Sequence, residues 1–277
     1  MGASFKKRLL TALIGVPLII LVLLGSKFMM ALLVMAASLI GLYEYYKAVG
    51  LLKHKTLCTI GYVAAIVISS ALSLPTSVSL ILVYIFIVSM FVLMLAENKQ
   101  GIGMVHIGML LFGLVYIPYM MSHITYIRSM EYGNFYVWLV FLGAFLTDTC
   151  AYFVGCLIGK HKLCPTISPK KTIEGAIGGL VGGGLSFVAY GVVVNYFFAQ
   201  ALGGKTLSLP LLFVLGLIVA LASEIGDLVA SSIKRQFGIK DFGDVFPGHG
   251  GMLDRCDSII LVAPTIFLFL YNVNILV

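Results

Sequence analysis

The 277-residue chain is 61% hydrophobic and only 10% charged, with a mean hydropathy of +1.09, a balance that excludes an ordinary soluble domain. Its formal charge of +7 comes from cations gathered in short segments between apolar runs, which is the loop pattern of a membrane protein and not the face of a nucleic-acid binder. The five cysteines show no paired spacing, and His161 with Cys164 lacks two further ligands nearby, so neither a disulfide framework nor a zinc site is expected.

A membrane-crossing helix needs about 20 mostly apolar residues. The sequence predicts nine: 9–24, 28–46, 57–74, 78–96, 102–121, 135–158, 175–198, 209–233 and 259–273. Lys6-Lys7-Arg8 ahead of the first run resembles a secretory signal, but no small-x-small cleavage site follows and more spans come after it, so the run reads as a first transmembrane helix. The expected fold is all-α, a polytopic integral membrane protein with cytoplasmic catalytic loops. It forms a single membrane domain over 1–277, with scaffold spans in 1–134 and the chemistry-bearing spans in 135–277. With the N-terminus inside, fifteen of the eighteen Lys and Arg fall on one side, and only Lys27, Arg128 and Lys205 fall on the other. Both polar loops, 159–174 and 234–257, are then cytoplasmic.

The glycines Gly175, Gly178, Gly179, Gly182, Gly183 and Gly184 lie inside an apolar run at spacings of three and four. They read as a close helix-packing face, since no Walker lysine follows to make a phosphate loop. His54, His106, His123 and Glu131 read as packed or solvated, and Glu44, Glu97 and Lys99 have no evident partners.

Ionisable groups inside spans are costly and mark function by default; here they are Asp148, Glu224 and Asp227. Asp227, Ser231 and Lys234, spaced four and three apart, share one helical face, and Ser223 continues it one turn earlier. Asp148 with Tyr152 one turn on either lines the same cavity or makes a structural hydrogen bond. Asp254 and Asp257 would share a face if a helix begins near Leu253, either as charged caps or as metal ligands. Carboxylates brought together repel unless a cation lies between them, and magnesium takes one or two of them with waters and phosphate oxygens. Asp227 and Asp254 are the expected metal pair, with Asp257 and Asp148 as further ligands. Four cations, Lys234, Arg235, Lys240 and Arg255, surround the turn Pro247-Gly248-His249-Gly250-Gly251, whose backbone can approach an anion closely. In the other loop, Ser168, Lys170, Lys171 and Thr172 precede a helix start, a second anion site or simply a topology signal.

The run Ser231-Ser-Ile-Lys234-Arg235, then Lys240-Asp241, Pro247-Gly-His249-Gly-Gly251 and Asp254-Arg255-Cys-Asp257 resembles the defining motif of the bacterial phosphatidate cytidylyltransferases, the CDP-diacylglycerol synthases. Ser168-Pro-Lys-Lys-Thr-Ile-Glu-Gly175, Asp148 with Ala151-Tyr152, and Ser223-Glu224-Ile-Gly-Asp227 resemble it too, so the likeness covers the C-terminal half. The resemblance implies that CTP and phosphatidate give CDP-diacylglycerol and pyrophosphate at the inner membrane. It also implies a nine-span homodimer and a divalent cation held at Asp227 and Asp254. Mg2+ is the expected cofactor, and a second cation is left open.

In this reading Asp227, Asp254, Asp257, Lys234 and Arg235 are catalytic. Lys170, Lys171, Ser168, Lys240, His249, Gly250, Gly251 and Arg255 bind substrate. The alternatives are a CTP-dependent membrane lipid kinase and a cation- or proton-coupled transporter using Asp148, Glu224 and Asp227. A CDP-alcohol phosphotransferase is disfavoured because its D-G-x-x-A-R beginning is missing.

Overall fold

A computed structural model describes residues 13, 15, 17–70, 76–96, 102–246, 248 and 250–277. The helices are α1 Lys27–Ala48, α2 Lys55–Ser70, α3 Thr76–Ala96, α4 Met104–Ser129, α5 Gly133–Ile158, α6 Ile173–Phe197, α7 Leu209–Gln236 and α8 Leu253–Asn272. Between α5 and α6 lies a short antiparallel hairpin, β1 Lys162–Cys164 and β2 Ser168–Thr172. Each expected span from the second to the ninth falls on one of these helices; the first is helical at 13, 15 and 17–24, and its remaining residues lie outside the described ones. Among the described residues, α1, α4, α5, α6 and α7 are long and apolar enough to cross a membrane, with α2 and part of α3 as shorter apolar helices. The protein is therefore a multi-pass membrane protein of the all-α class, with the hairpin as a small addition. Ile177, Val181 and Leu185 of α6 and Ile218, Leu221 and Ile225 of α7 are exposed, leaving apolar faces of a kind that lipid covers.

Local chemistry sets the helix ends. The Ser26 hydroxyl accepts from Met29 N at 3.2 Å and caps α1, and Thr172 Oγ1 accepts from Gly175 N at 3.1 Å and caps α6. Within α4, Pro118 has no N–H to donate, and the helix widens into a π turn over Val115–Tyr119 around it.

The chain forms two compact units. One holds the described residues up to Thr125 together with Phe237–Arg255; the other holds Tyr126–Gln236 and Cys256–Val277. The stretch Ser231–Asp257 is thus shared between them. In the first unit Leu42, Tyr46, Leu57, Leu110 and Ile117 are fully buried, and Tyr45 donates to Met109 O at 3.1 Å. In the second, Leu139, Phe187, Leu212, Leu215, Val219 and Ala220 form the seam of α5, α6 and α7.

The glycine stripe of α6 is that packing face. A Cβ at Gly183 would stand 2.7 Å from Ala220 Cβ and 2.9 Å from Thr147 Oγ1, so only glycine allows α5 and α7 this close. All five cysteines are free thiols.

Candidate functional site

The site in the second unit grows out of one face of α7. Leu212, Leu215, Gly216, Val219 and Ala220 are buried at spacings of three and four, the period of a helix packed along one stripe. From Ser223 onward the same stripe turns polar, through Glu224, Asp227, Ser231 and Lys234. At about 1.5 Å per residue, Asp227 lies roughly 27 Å from the start of α7, close to the thickness of a hydrocarbon core.

Other elements bring their own charges to this end. Lys171 Nζ of β2 lies 2.7 Å from Asp227 Oδ2, both side chains about a quarter exposed. Ser231 Oγ donates to Asp227 Oδ1 at 3.3 Å from one turn along α7. On α8, Ser258 Oγ donates to Asp148 Oδ2 of α5 at 3.3 Å, and Ser258 N donates to Asp257 Oδ1 at 2.8 Å. Asp257 is within electrostatic reach of Asp227, Asp148 and Lys234, and Glu224 of Lys171, Asp148 and Asp227. Gly226 permits the approach of α8, since a Cβ there would stand 2.6 Å from Asp257 O. Four carboxylates, two ammonium groups and two hydroxyls from α5, β2, α7 and α8 therefore share one polar end of the unit.

The hairpin is fastened locally. Glu174, in the first turn of α6, accepts from Lys160 N at 3.0 Å and from His161 Nδ1 at 2.6 Å. Arg235 Nε donates to Ile167 O at 3.3 Å, joining the end of α7 to the hairpin turn. Ser168 is half-buried at the start of β2, Lys170 is exposed, and Lys171 is turned inward to Asp227.

Asp254 belongs to the first unit. It sits in the first turn of α8, which does begin at Leu253, and its Oδ2 accepts from Phe242 N at 2.8 Å and Gly251 N at 3.0 Å. Lys240 and Arg255 are exposed, Gly250 has φ +84°, and Phe246 N donates to Gly250 O at 2.9 Å. The N–H of Gly251, expected to face substrate, is engaged by Asp254. His249 lies outside the described residues, as do Pro247, Glu97 and Lys99.

Sequence reasoning missed Glu44. It is 2% exposed in the last turns of α1 and accepts from Met252 N at 2.9 Å and Leu253 N at 2.8 Å. Its partners are backbone groups more than two hundred residues away, which no spacing rule discloses.

Among the described residues, no three His, Cys, Asp or Glu side chains are grouped so as to hold a metal by themselves. The donor types nevertheless fit a hard divalent cation: Asp148, Asp227 and Asp257 offer carboxylate oxygens, and Glu224 Oε1 is buried without a hydrogen-bond partner.

Fold and site together define a multi-pass membrane protein with an acidic and basic cluster at the polar end of its helices. The sequence profile of the Cytidylyltransferase family matches residues 6–273, and the chain belongs to that family. It is 39% identical over 163 residues to the phosphatidate cytidylyltransferase of Staphylococcus saprophyticus, covering 58% of this chain and 59% of the relative. To the protein of that name from Staphylococcus haemolyticus it is 46% identical over 138 residues, half of each chain. To that from Rickettsia bellii it is 37% identical over 190 residues, 66% of this chain and 79% of the relative. The aligned stretches thus span between half and four fifths of these relatives.

Proposed function

We propose that the chain is a phosphatidate cytidylyltransferase, moving the cytidylyl group of CTP onto phosphatidate to give CDP-diacylglycerol and pyrophosphate. The observation that carries this reading is family membership over residues 6–273, with relatives of that name at 37–46% identity. The acidic and basic cluster of the second unit supports it chemically.

A phosphatidate oxygen attacks the α-phosphorus of CTP, the bond to the bridging oxygen of the β-phosphate breaks, and pyrophosphate leaves with that oxygen. The nucleophile is on the lipid, so the protein's task is alignment and charge stabilisation. Lys171 and Lys234 offset negative charge at the cluster, and Arg235 anchors the hairpin that carries Lys170 and Lys171. Lys240 and Arg255, exposed on their own segment, are proposed phosphate contacts, with Ser168, Gly250 and His249 as further substrate contacts. Asp227, with Asp148 or Asp257 as a further ligand, would hold Mg2+, and Asp254, on its own segment, stays the other proposed ligand; when bound, the cation would neutralise charge on the phosphates.

Nine spans, an inner-membrane location and a cytoplasmic site belong to the same proposal. In the first unit the end of α1, beside Lys47, meets the segment 237–255 through Glu44; in the second, the hairpin meets the end of α7 through Lys171 and Asp227. Each contact joins loops that the charge pattern puts on one side. The homodimer implied by the resemblance is checked by mass determination in detergent.

The test is a product assay on purified protein with CTP labelled at the α-phosphate, phosphatidate in mixed micelles, and magnesium or EDTA. Label entering the lipid only with magnesium is expected. CDP released with unlabelled lipid would make the protein a lipid kinase, and absence of turnover in folded protein would remove the enzymatic reading.

A further inference from the structure

We infer that Glu44 is a positioning residue: a buried clasp on α1 that holds the segment 237–253 in its working conformation. The contacts themselves come from the structure, and their kinetic meaning rests on the proposed cytidylyl transfer.

Glu44 is an unusual residue to bury in an apolar helix, and among the described residues no lysine or arginine pairs with it. Its charge is met instead by two backbone N–H groups, Met252 N on Oε1 and Leu253 N on Oε2, at the positive end of the 20-residue helix α8. Both carboxylate oxygens are therefore used, and they fix where the segment enters the helix.

A second observation comes from the segment's glycines. A Cβ on Gly251 or on Gly243 would collide with the Glu44 carboxylate. Neither glycine has a positive φ, so what forbids a side chain there is the closeness of Glu44 and not the backbone conformation. The segment is closed on itself by Asp254, which takes Phe242 N and Gly251 N. Glu44 and Asp254 together grip four of its N–H groups, and Glu44 ties the segment to a helix formed from distant sequence. The gripped segment carries Lys240 and leads directly into Arg255, both exposed and available to an anionic substrate.

Without the clasp the segment populates its working conformation only part of the time, and apparent affinity falls by that fraction. The loss then appears in KM, while kcat at saturation is kept.

The experiment compares wild type, Glu44→Ala and Glu44→Gln by amide hydrogen exchange and by steady-state kinetics in detergent. In Glu44→Ala, exchange in 242–253 should rise by about tenfold or more while α7 stays protected. KM for CTP or phosphatidate should rise by about tenfold with kcat within about threefold. Glu44→Gln keeps the volume and one of the two acceptors, so its effect should be intermediate; it decides the matter if the alanine variant does not fold. Gly243→Ala should reproduce the exchange defect in wild type and add nothing in the Glu44→Ala background, where the carboxylate it would strike is gone.

Unchanged exchange in 242–253, a fall in kcat at constant KM, or additive effects of Glu44→Ala and Gly243→Ala would each overturn the clasp. If wild type transfers no cytidylyl group, the proposed function fails, and the exchange data alone still decide whether Glu44 holds the segment.

Discussion

Lys171 Nζ and Asp227 Oδ2 are 2.7 Å apart, so one ion pair ties the hairpin to the polar end of α7. Lys170, its neighbour in β2, is exposed, because successive side chains on a strand point to opposite sides. Two lysines that are adjacent in sequence thus have different surroundings. Lys171→Ala should lower kcat/KM by about a hundredfold, since it removes charge stabilisation at the cluster and leaves Asp227 without its cation. Lys170→Ala should raise KM by only a few-fold. Parallel kinetics on the two variants check this; equal losses would dissolve the distinction.

Asp227 accepts from Ser231 and pairs with Lys171, and a carboxamide of the same shape can keep the first contact while losing the charge. Asp227→Asn should leave a folded, detergent-stable protein with turnover reduced by about a thousandfold or more. Residual activity within tenfold of wild type, in protein with an unchanged melting curve, would take Asp227 out of the metal-binding role proposed for it.

The helices were legible because a span needs only composition and length: each expected segment from the second to the ninth falls on one of α1–α8, although among the described residues only α1, α4, α5, α6 and α7 are long and apolar enough to cross a membrane. The polar stripe of α7 was legible because spacings of three and four put Asp227, Ser231 and Lys234 on one helical face. The hairpin was not. Its strands are three and five residues long, Pro169 removes an N–H from β2, and no alternation of apolar residues marks them. Nor was Glu44, whose partners are main-chain groups that look the same at every position of a sequence. For the same reason the sequence does not disclose that Phe237–Arg255 packs with the N-terminal helices.

Asp148 and Asp227 each repel both Asp257 and Glu224, and Lys171 and Lys234 offset only part of that charge. Magnesium should therefore raise the melting temperature of the purified protein, by the linkage of ligand to the folded state, and EDTA should reverse the rise. Asp257→Asn should behave in the opposite sense: a higher melting temperature without metal, because one repelling charge is gone, and a smaller response to magnesium. Differential scanning fluorimetry with and without the cation separates the two effects. A variant that melts lower than wild type in EDTA and keeps the full magnesium shift would show that Asp257 is structural.

Gly179 of α6 faces the same cluster from the packing side. A Cβ there would stand 2.7 Å from Glu224 Oε1 and 3.0 Å from Ala151 Cβ, so the added methyl must displace either α5 or the carboxylate. Overpacking of this kind costs about 1–3 kcal/mol, and here it also moves a charged group of the site. Gly108 of α4 is the contrast, since a Cβ there meets nothing within 4 Å. Alanine is favoured over glycine inside a helix by roughly 0.5–1 kcal/mol, so Gly108→Ala should be neutral or slightly stabilising with full activity. Gly179→Ala should lower both the melting temperature and kcat/KM. If it loses stability alone, with kcat/KM intact, Glu224 is a packing carboxylate and the chemistry rests on Asp148, Asp227 and Asp257 without it.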